Sequence, residues 1–324
     1  MQLVLNKRGI NLTLKSGIFE VRVDDQLQKI PGEKVKSILL HRSAMVSTDS
    51  ILFAIENEID IIFMQMTGKP AGRIWSHKYG SISKIRKNQV QFTQSKQGAE
   101  WIVATIIEKI KNQSALIYTL SKPDGSTDNL INSSNEKLNK LIQKIALLEY
   151  SEIKDIADKL RAYEGNSSRI YFEIINQHLP EQYRFERRSQ HPAFDMFNSM
   201  LNYSYGILYS KIEGAFIRAG IDPYLGIMHR DEYNRPVLVF DAIEKFRVWA
   251  DYVVINLCMQ QVMFSDFFDI DNSVFLLNEH GKRILIQSFN DYFEEIIKIG
   301  SVERSRDQQL IIFAQKFATK LKVL

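Results

Sequence analysis

The feature that most constrains the fold is a change in the hydrophobic pattern near residue 90. Before it, short segments rich in β-branched residues alternate with turn residues, and 18–23 alternates as a half-buried strand does. After it, apolar residues recur every three or four positions, which is typical of amphipathic helices. The sequence therefore predicts an α+β fold with two domains, a small β-rich domain over 1–90 and a larger all-α domain over 91–324.

The pattern also predicts individual elements. Strands are expected at 2–5, 11–15, 18–23, 35–40 and 59–66, with a short helix near 51–55. Helices are expected at 101–110, 138–148, 151–163, 169–177, 194–219, 241–264 and 307–324. In this interpretation the polar stretch at 165–168 separates two helices, and Asp241 stands at the start of the helix that follows it.

Composition bounds the class of protein. Hydrophobic residues make up 45% of the 324 residues and charged residues 25%, which are ordinary globular values and exclude a disordered chain. No apolar run approaches the roughly 20 residues that a membrane span needs. The single cysteine, Cys258, excludes an internal disulfide framework and any multi-cysteine metal site. We expect a soluble, cytoplasmic protein with no membrane contact.

Positive charge is concentrated in the first third of the chain. Residues 1–95 carry 14 Lys and Arg against 8 Asp and Glu, and no acidic residue lies between Asp60 and Glu100. Such a basic strip with interleaved aromatic residues can neutralise phosphates and stack on bases, although a solvated basic face explains it equally well. The predicted DNA-binding residues of this strip are Lys69, Arg73, Lys78, Lys84, Arg86 and Lys87.

A second basic cluster lies in the helical region. Arg184, Arg187 and Arg188 fall within a short polar segment before a long helix. Guanidinium groups match phosphate oxygens in a bidentate manner, so this cluster predicts a second phosphate-binding surface. An exposed charged loop is the alternative interpretation.

Four residues with carboxylate or imidazole side chains are candidates for a catalytic site. Glu164 precedes the polar stretch, His229 precedes a turn, and Asp241 and Glu244 are three residues apart and so share a helix face. Asp241 could instead cap its helix, with Glu244 completing a capping box. Oxygen and imidazole ligands without thiolates suit Mg²⁺ or Mn²⁺. We hypothesise that these residues converge in space as a catalytic site for phosphodiester chemistry.

With these residues in place, the chain resembles the CRISPR adaptation integrase family, also called CRISPR-associated protein one. The resemblance covers essentially the whole chain and is carried by four motifs in order. They are Leu160-Arg161-x-x-Glu164-Gly165, Arg187-Arg188 followed by Asp195-x-x-Asn198, Gly226-x-x-His229, and Val239-x-Asp241-x-x-Glu244-x-Phe246-Arg247. The departures, such as Val248 where the family usually has proline, remove no candidate ligand.

The resemblance implies a metal-dependent DNA endonuclease and integrase of CRISPR spacer acquisition. It implies that the 3′-hydroxyl of a DNA fragment attacks the CRISPR repeat by transesterification, with no protein nucleophile. It implies that Glu164, His229 and Glu244 bind Mg²⁺ or Mn²⁺, with Asp241 as a further ligand or a supporting carboxylate. Arg247 joins the arginine cluster as a candidate phosphate contact.

The implied partners are double-stranded and branched DNA, a second copy bound through the N-terminal domain, and a small ferredoxin-like protein. Two other functions stay open on the sequence. One is a non-catalytic architectural DNA-binding protein, and the other is a metal-dependent nuclease that acts on branched DNA in repair.

Overall fold

The computed structural model describes residues 1–7, 9–64, 70–74, 82–121, 124–190, 192–229, 235–299 and 302–324. The chain divides into two compact units, Met1–Gly80 and Ser81–Leu324. The boundary predicted at residue 90 falls inside a helix, α2, that runs from Ile82 to Thr93 in the second unit. The acid-free, Lys-rich sequence of this helix hides its periodicity, which explains the ten-residue displacement.

In its described residues the first unit contains two four-stranded sheets and one α-helix. Its elements are β1 (Gln2–Leu5), β2 (Asn11–Lys15), β3 (Ile18–Val23), β4 (Gln26–Pro31), β5 (Ser37–Leu40), β6 (Met45–Val46), α1 (Thr48–Glu56), β7 (Asp60–Met64) and β8 (Pro70–Arg73). The strand orders are β1-β5-β7-β8 and β4-β3-β2-β6. Leu12, Phe19, Ile38 and Ile61 are almost fully buried and form the centre of its core.

Strand β4 was not expected from the sequence. Four of its six residues are exposed, so no apolar alternation marks it. It pairs antiparallel with β3, from Ile18 opposite Pro31 to Val23 opposite Gln26. The turn between them places Asp24 at a φ of 51°, a left-handed conformation that Asp tolerates better than most residues. The turn was recognised in the sequence, but the strand after it was missed.

The second unit is mainly helical. It contains α2, α3 (Lys96–Tyr118), α4 (Asp128–Ala146), α5 (Ala157–His178), α6 (Met196–Arg218), α7 (Val237–Ile243), α8 (Arg247–Met259), β9 (Phe268–Asp271), β10 (Val274–Leu277), α9 (Glu279–Glu294), β11 (Ile296–Ile299), β12 (Val302–Ser305) and α10 (Arg306–Lys322). Pairs β9–β10 and β11–β12 are antiparallel hairpins. The β-rich and helical character of the two units confirms the predicted α+β class. No helix in the described ranges has both the length and the apolar character needed to cross a membrane.

Helix α5 is continuous through the polar stretch, so the predicted break at 165–168 is wrong. A helical Gly costs about 1 kcal/mol relative to Ala, which packing of the buried Leu160, Tyr171 and Ile174 outweighs. The Ser167 hydroxyl bonds to the Glu164 carbonyl and so stays within the helix. Glu164 therefore lies in mid-helix rather than beside a bend.

The helix expected at 241–264 is two helices. Helix α7 begins at Val237, and a turn over residues 244–246 separates it from α8. Asp241 is thus inside α7 and 1% exposed, and the prediction that it caps a helix is wrong. The turn places Glu244 and Arg247, three residues apart, on facing positions where their side chains meet.

Candidate active site

Two of the predicted ligands converge on a lysine that the sequence did not single out. Lys109 of α3 donates a hydrogen bond to Oε1 of Glu164 and another, of 2.6 Å, to Oε2 of Glu244. The Lys109 side chain is only 4% exposed, and that of Glu244 only 6%. Helices α3 and α5 and the α7–α8 turn therefore bring two carboxylates to one cation in a largely buried site.

Arg247 holds the other oxygen of Glu244. Its Nε lies 2.9 Å and its Nη2 2.8 Å from Oε1. Burial alone raises the pKa of Glu244, but the charges of Arg247 and Lys109 and the hydrogen bonds they donate lower it to about 2. Glu244 is therefore a carboxylate throughout the physiological pH range, as a metal ligand must be.

Asp241 organises the loop that carries His229. One Asp241 oxygen accepts the backbone N–H groups of Ile227 and Met228, and the other accepts the His229 N–H, with distances of 2.6 to 3.1 Å. Gly226 starts this loop, and a Cβ there would lie 2.7 Å from the His229 carbonyl oxygen. The spacing Gly226-x-x-His229 thus reflects a tight loop closed over a buried carboxylate.

The imidazole of His229 is oriented by the same carboxylate. Nδ1 lies 2.6 Å from Oδ1 of Asp241, so Nε2 is the ring nitrogen left to bind a ligand. Burial lowers the pKa of His229, but the hydrogen bond and charge of Asp241, together with the charge of Glu244, raise it above its usual value on balance.

The residues fit a hard divalent cation by their chemistry. The donors are two carboxylates and an imidazole whose second nitrogen is held by a carboxylate, a common arrangement around protein-bound metals. Among the described residues, no group of three His, Cys, Asp or Glu side chains lies close enough together to hold a metal ion. The Lys109 ammonium instead stands between the carboxylates as the local cation.

Two of the predicted phosphate contacts have internal partners. The guanidinium of Arg188 donates to the Ser189 carbonyl and to side-chain oxygens of Asn198, at 2.7 Å, and Asn202, at 2.6 Å. The guanidinium of Arg247 donates to Oε1 of Glu244. Both guanidinium groups therefore have partners inside the protein, and the phosphate-binding role of these two arginines stays a prediction.

Tyr205 lies between these two arginines. Its ring centroid is 4.6 Å from the Arg247 guanidinium carbon and 5.6 Å from that of Arg188. Its hydroxyl and that of Tyr171 donate to the buried carboxylate of Asp251, at 2.6 and 2.8 Å. This buried polar network links the arginine cluster to Glu244.

The remaining basic residues differ in their positions. Arg184 and Arg187 are exposed and line a cavity of about 400 Å³ formed by Arg184, Phe185, Glu186, Arg187, Ser189, Phe194 and Asp195. Lys84, Arg86 and Lys87 are exposed on α2, and Arg73 is half-buried on β8 in the first unit. Lys69 and Lys78 lie outside the described residues.

Sequence reasoning missed Lys109 and Asp251. A weak signal for Lys109 was present, because it interrupts the apolar face of α3 formed by Ile102, Ile106 and Ile110. A charged residue on a buried face is rare unless it is paired. Its partners lie on other helices, however, and no spacing in the sequence reveals them.

Two solved structures share this fold over nearly the whole chain. A CAS1 protein from Thermotoga maritima is matched over 99% of this chain and 97% of its own, with a TM-score of 0.78 and 18% identity. A casposase bound to integration product is matched over 99% and 95%, with a TM-score of 0.67 and 20% identity. At these identities the likeness establishes the fold alone.

Curated relatives of this chain are named CRISPR-associated endonucleases, which makes it an enzyme of the endonuclease and integrase class. A family model described as CRISPR associated protein Cas1 matches residues 3–291. The chain belongs to the Cas1 family, the integrases of CRISPR spacer acquisition, and the resemblance seen in the sequence is confirmed. Membership implies dependence on a divalent metal ion.

Curated relatives agree with this assignment. CRISPR-associated endonuclease Cas1 1 of Archaeoglobus fulgidus is 29% identical over 300 residues, which cover 89% of this chain and 87% of the relative. CRISPR-associated protein Cas1 3 of Methanobrevibacter ruminantium is 30% identical over 257 residues, which cover 77% and 75%. Kinship with endonucleases favours an enzyme over the non-catalytic architectural protein that the sequence left open.

Proposed function

We propose that Glu164, His229 and Glu244 hold Mg²⁺ or Mn²⁺ and that this site joins the 3′-hydroxyl of a DNA fragment to the CRISPR repeat. The observation that carries the proposal is the convergence of Glu164 and Glu244 on one buried ammonium. Asp241 orients the imidazole of His229, the third proposed ligand. When bound, the cation polarises a phosphoryl oxygen and stabilises the leaving oxygen.

The protein's own residues prepare the site for this reaction. Arg247 and Lys109 keep Glu244 ionised. Asp241 fixes the imidazole through Nδ1, so Nε2 is the ring nitrogen left to bind the metal. The attacking 3′-hydroxyl loses its proton and forms a bond to phosphorus while the bond to the departing oxygen of the repeat strand breaks. The departing oxygen takes up a proton and becomes a hydroxyl. One phosphodiester replaces another, so no covalent bond to the protein is needed.

Strand transfer into a repeat-bearing plasmid tests the proposal. A labelled fragment is incubated with the full chain, Mn²⁺ and supercoiled target, and joined product is measured for wild type, Glu244→Gln and His229→Ala. Glu173→Gln is the control, because Glu173 is an exposed acid on the same helix as Glu164. We expect both site variants to lose joining and the control to keep it. Joining at the wild-type rate in both site variants would refute the assignment.

A branched DNA without a repeat separates integration from repair. If cleavage of the branched substrate far exceeds joining to the repeat, the nuclease of branched DNA becomes the better description. If joining dominates, the integrase function stands. Both activities use the same residues, so the variants above apply to either outcome.

DNA is proposed to bind through exposed cations. The exposed cations are Lys84, Arg86 and Lys87 on α2 and Arg184 and Arg187 beside the cavity. Within the part of the chain that the structure describes, none of them pairs with a carboxylate. Since each phosphate contact releases a counterion, affinity should fall steeply with salt. Double-stranded and branched DNA are both substrates of this kind. Because the substrate is DNA, we propose the cytoplasm as the location.

Two protein partners are also proposed. The first unit exposes large apolar side chains, among them Met45 at 61% and Leu52 at 52%, which favours a homodimer through this unit. A solved Cas6-RT-Cas1--Cas2 complex contains a chain similar to this one. The match covers 99% of this chain and 35% of that chain, with a TM-score of 0.76 and 22% identity. This likeness supports a small ferredoxin-like partner. The homodimer is tested by sedimentation of the full chain, which should give a dimer. A monomer at micromolar concentration would exclude the homodimer.

A further inference from the structure

Lys109 occupies the position of a cation in the site. Its ammonium nitrogen contacts one oxygen from each of two carboxylates, Glu164 and Glu244, that come from different elements. We propose that Lys109 is a built-in counter-ion that holds the metal-free site together and is displaced when the divalent cation binds. Lys109 thereby sets the metal affinity of the enzyme. This inference rests on the proposed metal site.

The charge balance of the site requires such a cation. Two carboxylates in a largely buried environment repel each other unless cations compensate them. Arg247 compensates one and Lys109 the other, so the site without metal is close to neutral. A divalent cation added while both basic residues remained would leave the site with excess positive charge. Departure of Lys109 reduces this excess by one charge, which favours the exchange.

The geometry indicates which basic side chain leaves. Arg247 donates two N–H groups to Oε1 of Glu244, whereas Lys109 contacts Oε2 and the Glu164 oxygen. The oxygens that face each other across the site are therefore those that Lys109 occupies. A hard cation would need the same lone pairs. Arg247 can remain as the residue that orients Glu244, and Lys109 cannot remain in place.

The side-chain chemistry of lysine suits this exchange. The ammonium is a compact point charge on a flexible four-carbon stem, so it can leave the carboxylates by rotating its own bonds. An arginine at this position would hold the carboxylates with a fixed fork. Lys109 is therefore a positioning residue of the metal-free enzyme and a competitor of the metal, rather than a catalytic residue.

Direct Mn²⁺ binding to the full chain tests the proposal. Free Mn²⁺ is measured by electron paramagnetic resonance for wild type, Lys109→Met and the control Lys211→Met. Lys211 is a partly buried lysine paired at 2.9 Å with Asp307, which is not one of the proposed ligands. We expect Lys109→Met to bind Mn²⁺ at least about 10-fold more tightly and to melt at a lower temperature without metal. The control should bind as wild type does.

Unchanged or weaker Mn²⁺ binding in a folded Lys109→Met protein would overturn the inference. If Lys109→Met does not fold, Lys109→Gln replaces it, and a wild-type crystal soaked in Mn²⁺ gives an independent measurement. We expect Nζ of Lys109 to have left at least one carboxylate in that crystal. An ammonium that still bridges both carboxylates beside bound Mn²⁺ would refute displacement.

A further variant separates this inference from the proposed function. If wild type binds Mn²⁺ and Glu244→Gln does not, the metal site stands, and only the comparison with Lys109→Met decides the role of the lysine. If neither wild type nor Lys109→Met binds Mn²⁺, the metal site and the inference fail together.

Discussion

Nδ1 of His229 lies 2.6 Å from Oδ1 of Asp241, and the same carboxylate accepts three backbone N–H groups of the loop that carries His229. Asp241 is thus saturated by groups of its own chain and almost fully buried. Among the roles left open for it by the sequence, this geometry favours a supporting carboxylate that fixes the histidine, and we propose that role.

We predict that Asp241→Asn weakens Mn²⁺ binding by about 10- to 100-fold, because a carboxylate behind a metal-binding histidine has effects of this size. An amide has one acceptor oxygen and cannot satisfy both the imidazole and three N–H groups, so stability should fall by about 1–3 kcal/mol. Mn²⁺ titration and urea unfolding measure the two effects. Asp158→Asn is the control, since Asp158 is 98% exposed. Equal Mn²⁺ affinity in Asp241→Asn and wild type would remove Asp241 from the site.

We predict that Glu244→Ala destabilises the second unit strongly. The change leaves Arg247 and Lys109 as cations in a largely buried environment without their shared carboxylate. Removing one partner of a buried ion pair typically costs about 3–5 kcal/mol. Urea unfolding followed by circular dichroism measures the loss. Glu295→Ala is the control, because Glu295 also pairs with an arginine, Arg306, but is 57% exposed. Its free energy of unfolding should fall by less than about 1 kcal/mol. Similar losses in the two variants would contradict the burial argument.

We predict that neighbouring arginines respond differently to the same substitution. Arg187→Met should reduce DNA affinity and lower the slope of its salt dependence by about one, with little change in stability, because Arg187 is exposed. Arg188→Met should lower the unfolding free energy by about 2 kcal/mol, because Asn198 and Asn202 lose a charged donor. Fluorescence anisotropy at several salt concentrations and urea unfolding distinguish the two. The opposite pattern would show that Arg188 is the phosphate contact.

The sequence predicted the fold class and most elements because their causes are local. Strand β3 alternates, and α6 and α10 repeat apolar residues at helical spacing, so each was found within a few residues. Strand β4 was missed because its pairing with β3 stabilises a mostly exposed, polar segment. The break predicted within α5 was wrong because tertiary packing outweighed the local preference of Gly and Ser.

The residues of the candidate site were predictable from local motifs, but their contacts were not. The motif residues Glu164, His229, Asp241 and Glu244 were identified, but their roles depend on contacts between distant elements. Nothing near Lys109 in the sequence indicates that it contacts Glu164 and Glu244. Likewise, the sequence shows Arg188 as one of a basic cluster, and only the fold turns its guanidinium towards Asn198 and Asn202.

We predict that Asp251 makes the stability of the second unit depend on pH between about 4 and 6. Burial raises the pKa of Asp251 from 3.8 to about 6, although Tyr205 and Tyr171 donate hydrogen bonds to its carboxylate. The native state therefore holds this proton more tightly than the unfolded chain, and its contribution to stability, complete below pH 3.8, is lost as the pH rises to 6. Two pKa units correspond to roughly 3 kcal/mol. Urea unfolding from pH 4 to 7 should show the stability of wild type falling relative to Asp251→Asn up to about pH 6 and staying parallel above it. Asp266→Asn, at an exposed aspartate, controls for the loss of one acid. A constant difference between wild type and Asp251→Asn across this range would show that Asp251 is ionised in the folded protein throughout.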